Sequence, residues 1–549
     1  MQKKLLLLLA VFALVSSCGK DEIGSASDTG GSGSLVDIDT TGSGNLSLDS
    51  YERRVVVVFS PGGTATVTGD SAGISAQISG NGVTITNSSG STVAYILTGS
   101  ASDGYFKVYS DREQALALNG LSLTNPRGAA INIQGPSSQP GSGKTVKLLL
   151  NGSNTLADGP SYTATPTLED EKAALFAEGG ILLTGSGSLT VTATGKGAVT
   201  SDSYVHISGT PSIHASSTNG HGIRGKGYIL IAGGTIDVQV SGNMKKGLAS
   251  DTLVRFDGGQ TTVHASGNSG YDTASLSYGG PAGIRAGLAF IMNNGSLNIT
   301  VSGQGGKGIN SNGSALFNGG SVDITVSGTD FTTATDTVSA KGLKFQGDIT
   351  VSGGTVTSRC THNEAVESKG NITITAGELY GYSSTSNAVN AKNHINIQGG
   401  YLCGHSDGND GLDAGGDVTL TAGLLYAIST DGVHKAVNSG KGFVFSMNGG
   451  TMIAIGGLEK GADLAVSCRQ TAGWRQGSWH TLAAGGAEYS FKAPGGGSGT
   501  LVVAGSGDLA LTAGTTVSGG TSRFDATLIE GGSTEGGTAI PLTSYSSNK

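Results

Sequence analysis

"NITITAGELYGYSSTSNAVNAKNHINIQGGYLCGHSDGNDGLDAGGDVTLTAGLLYAIST" spans residues 371–430. Three phrases in it are versions of one another. "NITITAG" ends at Gly377, "HINIQGG" at Gly400 and "DVTLTAG" at Gly423, a spacing of 23 residues. Each is a run of alternating apolar and polar residues closed by a tight turn, and each turn is followed by a second alternating run. Alternation at period two is the mark of a strand with one buried face. Repetition at a fixed period means units that bury their apolar faces only by stacking on their neighbours. A unit of this length holds three short strands and three turns. That is one coil of a parallel β-helix.

The turn marker extends well beyond this stretch. It ends at Gly187, Gly209, Gly234, Gly259, Gly295, Gly320, Gly354, Gly377, Gly400, Gly423 and Gly450. The steps are 22, 25, 25, 36, 25, 34, 23, 23, 23 and 27 residues, so insertions fall in the two long steps, near Tyr271 to Tyr278 and near Phe331. Two residues after the marker stand Leu189, Pro211, Ile236, Thr261, Leu297, Val322, Val356, Leu379, Leu402, Leu425 and Met452. Four after, the column again runs mostly apolar, from Val191 and Ile213 to Ala427 and Ala454. Both columns are predicted to face the core. A third strand carries a small residue followed by an apolar one, as in Gly222-Ile223, Gly283-Ile284 and Ala388-Val389. The expected fold is all-β: a right-handed parallel β-helix of 23–25-residue coils over residues 111–457. β-rich caps are expected at 35–110 and 458–549, because a solenoid must cover its open edges.

Composition agrees. The chain of 549 residues has 95 glycines, 10 prolines and 13% charged residues, which without a three-residue period suits a turn-dense β architecture. The net charge of −8 and the lack of a basic sequence cluster argue against nucleic acid as a partner. The opening "MQKKLLLLLAVFALVSSC" has two lysines, an apolar run from Leu5 to Val15 and small residues before Cys18. That reads as a secretory signal over residues 1–17 with a lipobox, and Cys18 as the lipidated first residue of the mature chain. Lys20-Asp21-Glu22 resembles the surface-export signal of Bacteroidetes-type lipoproteins, and residues 18–34 read as a flexible tether. The expected location is the outer membrane, lipid-anchored and facing outward, as a monomer. Three further cysteines, Cys360, Cys403 and Cys468, fit no zinc motif. Parity turns Cys360 inward and Cys403 outward, which argues against a disulfide between them.

"LALNGLSLTNPRGAAINIQ" (116–134), "KTVKLLLNGSNTLADGPSY" (144–162) and "EDEKAALFAEGGILLTGSGSLTVTATGKGAV" (169–199) carry a resemblance. They are similar to a bacterial family of secreted carbohydrate-binding β-helix proteins, pectate-lyase-like in fold but without established catalysis. The resemblance covers roughly residues 110–460. It implies binding of plant-type polysaccharides such as cellulose and polygalacturonate, and bound calcium. The family often has paired acids before the Gly-Ile of the third strand. Here that column reads His221, Lys246, Lys307, Lys341, Glu364, Asn387, Asp410 and Lys435. Lysine stands at four of these eight positions, so calcium is confined to the coils that keep oxygen ligands: Glu364 with Glu367, Asn387 with Asn390, and Asp410 with Asp413. Coils about 4.8 Å apart would stack these six, provided the strand bends between the members of each pair. A surface charge ladder between flanking lysines is the competing reading.

The outward columns after the marker give the expected glycan face. In early coils they are small and polar, as at Ser188, Thr190 and Thr192. Later they become Glu378, Tyr380 and Tyr382; then Tyr401, Cys403 and His405; then Leu424, Tyr426 and Ile428, with Arg359 one coil earlier. Tyrosine offers a flat apolar face and a hydroxyl, which suits a pyranose ring. The predicted carbohydrate site is therefore Tyr380, Tyr382, Tyr401, His405, Tyr426, Arg359 and Glu378. The alternative is that the C-terminal cap folds over this face and makes the tyrosines an internal seam. No residue set compels catalysis, so the expected activity is polysaccharide binding without cleavage. An adhesin or structural rod and a calcium-dependent polysaccharide lyase are the other readings.

Overall fold

The computed structural model describes residues 47–69, 72–136, 142–163 and 169–547. The signal sequence, Cys18 and the tether lie outside the described residues, as does the first part of the expected N-terminal cap.

Among the described residues the chain is all-β, with one three-residue 3₁₀ turn at Leu48–Ser50 ahead of the strands. Two large, mostly parallel sheets dominate: one of 28 strands, called sheet 1, and one of 15, called sheet 2. Each strand pairs with its equivalent one repeat later. In sheet 1, Ile349–Cys360 pairs in parallel with Ile372–Ser383, then Ile395–Ser406, then Val418–Ser429. In sheet 2, Lys341–Phe345 pairs with Val366–Ser368, then Val389–Ala391, Leu412–Ala414 and Val437–Ser439. The register advances by one repeat at each step, with Ile372 opposite Ile395 and Ile395 opposite Val418. The marker glycines make this possible. Gly377 and Gly400 sit at φ of 75° and 64°, where a side chain would strain the backbone. The two apolar columns read from the sequence are buried in one continuous core.

Two expectations need correction. At the Gly209 marker the strand begins two residues late, so Leu189 pairs with Ile213 rather than Pro211. Parity survives a slip of two, so faces are unchanged. Parallel stacking also starts before residue 111: Arg53–Phe59 pairs in parallel with Val93–Ala101, and that strand with Gln114–Asn125. Among the described residues, only Thr66–Gly69 and Ile74–Ser79 add antiparallel at this end.

The C-terminal end is closed differently. Leu501–Gly505 adds antiparallel to Thr451–Ile455 and Ser467–Thr471 joins it, which ends the parallel edge. Six antiparallel strands between Trp479 and Ile540 form sheet 3. This sheet lies against the outer face of sheet 1.

Candidate functional site

Sheet 3 covers the expected tyrosine face. Tyr426 is fully buried, and Tyr380 and Cys403 nearly so, among Leu482, Phe491, Val503, Phe524 and Leu528. The Tyr426 hydroxyl donates to the Lys492 carbonyl at 2.9 Å. Tyr401 donates to Glu530 at 2.6 Å, and the Arg523 guanidinium lies 3.8 Å over its ring. Glu378 accepts from the Phe524 N–H at 2.7 Å. Arg359 bonds Asp323 at 2.7 Å and also Asp525. Tyr382 donates to Asp407 at 2.7 Å, and His405 lies 3.1 Å from the same carboxylate. The predicted glycan residues are thus brought together, but as a seam between sheets 1 and 3. The physical reason is plain: four outward rings beside Leu424 and Ile428 are too much apolar surface for the chain to leave wet.

The six stacked residues find partners within the chain. The bend between pair members does occur, but lysines neutralise the glutamate pair. Lys341 reaches Glu364 at 2.8 Å and Glu367 at 2.9 Å, and Lys369 reaches Glu367 at 2.6 Å. Asn387 and Asn390 donate to Asp413 at 2.8 and 3.0 Å, and Asn438 bridges Asp410 and Asp413 at 3.0 and 3.3 Å. Among the described residues, no group of three or more His, Cys, Asp or Glu is placed to hold a metal ion. The six-residue set is therefore split. Lysines occupy its Glu364–Glu367 half, and amides line its Asp410–Asp413 half.

Sheet 2 carries a different site, two to seven repeats before that stack. Its outward positions run Thr200, Arg224, Ala249, Arg285, Asn310 and Lys344 in continuous register. A cavity of about 810 Å³ lies over Lys172, Lys196, His221 and Arg224. A second, of about 330 Å³, continues from His221 and Arg224 to Lys246, Arg285 and Lys307. Together they are lined by eight lysines and arginines against three aspartates, Asp202, Asp251 and Asp272. Two cations are paired: Lys172 with Asp202 at 2.7 Å and Arg224 with Asp251 at 3.1 Å. Arg285 and Lys226 make no salt bridge among the described residues.

His221 joins the two cavities. Its Nδ1 accepts the Lys246 N–H at 3.0 Å, so a neutral ring carries its proton on Nε2. Burial, then the charges of Lys246 and Arg224, hold its pKa well below the usual histidine range. It is a fixed neutral donor among cations. Burial pulls the Lys172 pKa down, but Asp170 and Asp202 outweigh burial and raise it. The groove can therefore donate many hydrogen bonds and attract negative charge, while His221 and Lys172 hold their protons firmly. This groove went unread in the sequence. Its signal was the lysine column at 246, 307 and 341, which registers only when the column is asked what it attracts.

An all-β repeat scaffold with a cationic groove on its flank is the class these features define. The chain belongs to the family of carbohydrate-binding domain-containing proteins, whose model matches residues 79–244, 226–331 and 300–385, more than half its length. The groove lies inside the matched residues and sheet 3 lies outside them. Among solved structures the chain is similar to a polysaccharide lyase-like protein from C. thermocellum, in a gadolinium derivative. Identity is 21% over 55% of this chain and 98% of the other, with a TM-score of 0.36, too distant to bear on function. No curated protein matches the chain.

Proposed function

We propose that this protein is a cell-surface lipoprotein that binds an acidic polysaccharide along the flank of a right-handed parallel β-helix, without cleaving it. The observation that carries the reading is the sheet 2 groove, in which lysine and arginine outnumber aspartate eight to three. A cleft lined by one sign of charge concentrates ligands of the other sign. A polymer of sugar carboxylates presents both the charge and the hydroxyls that such a groove can satisfy. Cleavage of a uronate needs a base for the C5 proton. His221 and Lys172 do not serve, since Nδ1 of the first is already an acceptor and the second is held protonated. Calorimetric titration of the mature protein with a polyuronate and with a neutral glucan tests this. The polyuronate should bind more tightly, and Lys246→Ala with Arg285→Ala should weaken it at least tenfold at an unchanged melting temperature. Equal binding of both polymers by both proteins would sink the reading.

Calcium fits only the Asp410–Asp413 half of the acidic stack. No salt bridge among the described residues reaches either carboxylate, whereas Lys341 and Lys369 already neutralise the other half. Asp410 and Asp413, with the amide oxygens of Asn387, Asn390 and Asn438 after rotation, would hold the ion and so lock neighbouring coils together. Millimolar calcium should then raise the melting temperature of the wild type and not of Asp410→Ala. The lipid anchor at Cys18 rests on the sequence. Cys18→Ala should move the protein from the membrane to the soluble fraction.

A further inference from the structure

We infer that two hairpins inserted into the repeat supply an aromatic wall on which a sugar ring of the bound polymer stacks. This rests on the acidic-polysaccharide reading of the groove. The first hairpin pairs Gly270–Asp272 with Ser277–Gly279, and the second pairs Phe331–Thr332 with Thr337–Val338. Both are two-stranded sheets separate from sheets 1 and 2. Neighbouring repeats stack without any such insertion, so the hairpins are extra to the core. Long inserted loops on a rigid scaffold are where binding groups concentrate.

Their paired strands carry the aromatic residues. Tyr271 and Tyr278 face each other across the first hairpin, with ring centroids 5.1 Å apart at 68°. Phe331 of the second hairpin lies 5.8 Å from Tyr278. Polar groups close the turn of the first hairpin and the base of the second: Asp272 takes the Ala274 N–H at 3.0 Å and the Ser275 hydroxyl at 2.8 Å, and Asp330 takes the Ala340 N–H at 2.7 Å. Tyr278 lines the same cavity as Lys246, Arg285 and Lys307.

A purely structural role, with the rings pinning one hairpin to the other, accounts for Tyr278 against Phe331. It leaves the rest of the first hairpin unexplained. Tyr271 is 48% exposed and Leu276 73%, and Leu276 adopts a left-handed φ of 53° at the turn. Exposed apolar groups beside a cationic cavity suit a ligand that is charged on one edge and apolar on one face. An acidic pyranose meets both demands: its acid group lies toward Arg285 and Lys246, and its C–H face lies on the tyrosines. A polyanion without sugar rings meets only the first.

Calorimetry with a polyuronate and with poly-glutamate, which has the carboxylates but no rings, separates the two demands. Wild type should prefer the polyuronate. Tyr271→Ala and Tyr278→Ala should each weaken polyuronate binding about five- to tenfold, leave poly-glutamate unchanged and so erase the preference. Tyr271→Phe and Tyr278→Phe should restore it. If Tyr278→Ala fails to fold, Tyr271→Ala, whose ring is half exposed, carries the test alone. Folded alanine variants that keep the wild-type preference would overturn the aromatic wall and leave the groove standing. A wild type that binds neither polymer would overturn the groove itself.

Discussion

Asp413 and Glu367 occupy equivalent positions two repeats apart, joined in register through Asn390, yet their carboxylates are treated oppositely. Burial pushes the Glu367 pKa up, but Lys341 and Lys369 outweigh burial and bring it below its ordinary value. Asp413 is pushed up by burial and then by Asp410, and the amides of Asn387 and Asn390 only partly offset this. The signs of the linkage follow. A depressed carboxylate such as Glu367 adds stability above its unfolded pKa that is lost as pH falls through the folded value. A raised one such as Asp413 adds stability only below its unfolded pKa, and that is lost as pH rises through the folded value. At neutral pH the ionised Asp413 therefore costs stability. Asp413→Asn keeps an oxygen for the two amides and removes the repulsion with Asp410. It should stabilise the protein at pH 7 by on the order of 1 kcal/mol. Thermal melts across pH should show the gain shrinking as pH falls through the raised folded pKa of Asp413 and gone below its ordinary unfolded value, about pH 4. A gain that is constant with pH would assign it to packing instead.

At the scale of strands, two columns trade volume across the core. A Cβ on Gly247 would lie 2.2 Å from Val263 Cγ1, and one on Gly283 would lie 2.3 Å from Ile299 Cγ2. The same holds for Gly222 against Val238 and Gly308 against Ile324. Where the third-strand residue becomes Ala365 or Ala388, the opposing residue sixteen positions on becomes Gly381 or Gly404. Gly247→Ala should therefore cost about 1–3 kcal/mol by overpacking. Val263→Ala in the same chain should recover part of it, giving a favourable coupling in a double-mutant cycle. Recovery should be incomplete, because the Gly283 carbonyl also lies 2.8 Å from the added carbon. The seam of sheet 3 makes a second element-level prediction. Tyr426→Ala should cost about 3–5 kcal/mol and expose residues beyond 457 to proteolysis, since it empties a buried site and orphans the Lys492 carbonyl. These two cases mark what the sequence makes legible. Periodicity exposes the stacking direction, the inward columns and the bend at each acidic pair, because each is dictated within one repeat. It does not expose the occupant of an outward column. Tyr380 and Tyr426 read the same whether a glycan or sheet 3 lies over them, and the choice is made by residues a hundred positions away, such as Phe491 and Phe524.

Among the described residues, the cationic groove and the docked tyrosine face lie on different sheets. The net charge is −8, yet the sheet 2 flank gathers eight cations along its two cavities. The outer face of sheet 1 instead spends its tyrosines on docking sheet 3. The proposed binding groove and the closure of the C-terminal end thus fall on different sheets and share no residue. Two consequences can be measured together. First, polyuronate affinity should fall steeply with added salt despite the acidic net charge, because screening acts on the local field of the groove. Lys246→Ala with Arg285→Ala should flatten that dependence, since fewer cations remain to be screened. Second, the effects should separate. The groove variant should lose affinity and keep its melting temperature, whereas Tyr426→Ala should lose melting temperature and keep its affinity at temperatures where it stays folded. Combining them should give additive changes in both quantities, as expected for sites with no shared partner. A Tyr426→Ala protein that is folded but no longer binds polyuronate would mean that the ligand reaches the sheet 1 seam, and would move the site away from sheet 2.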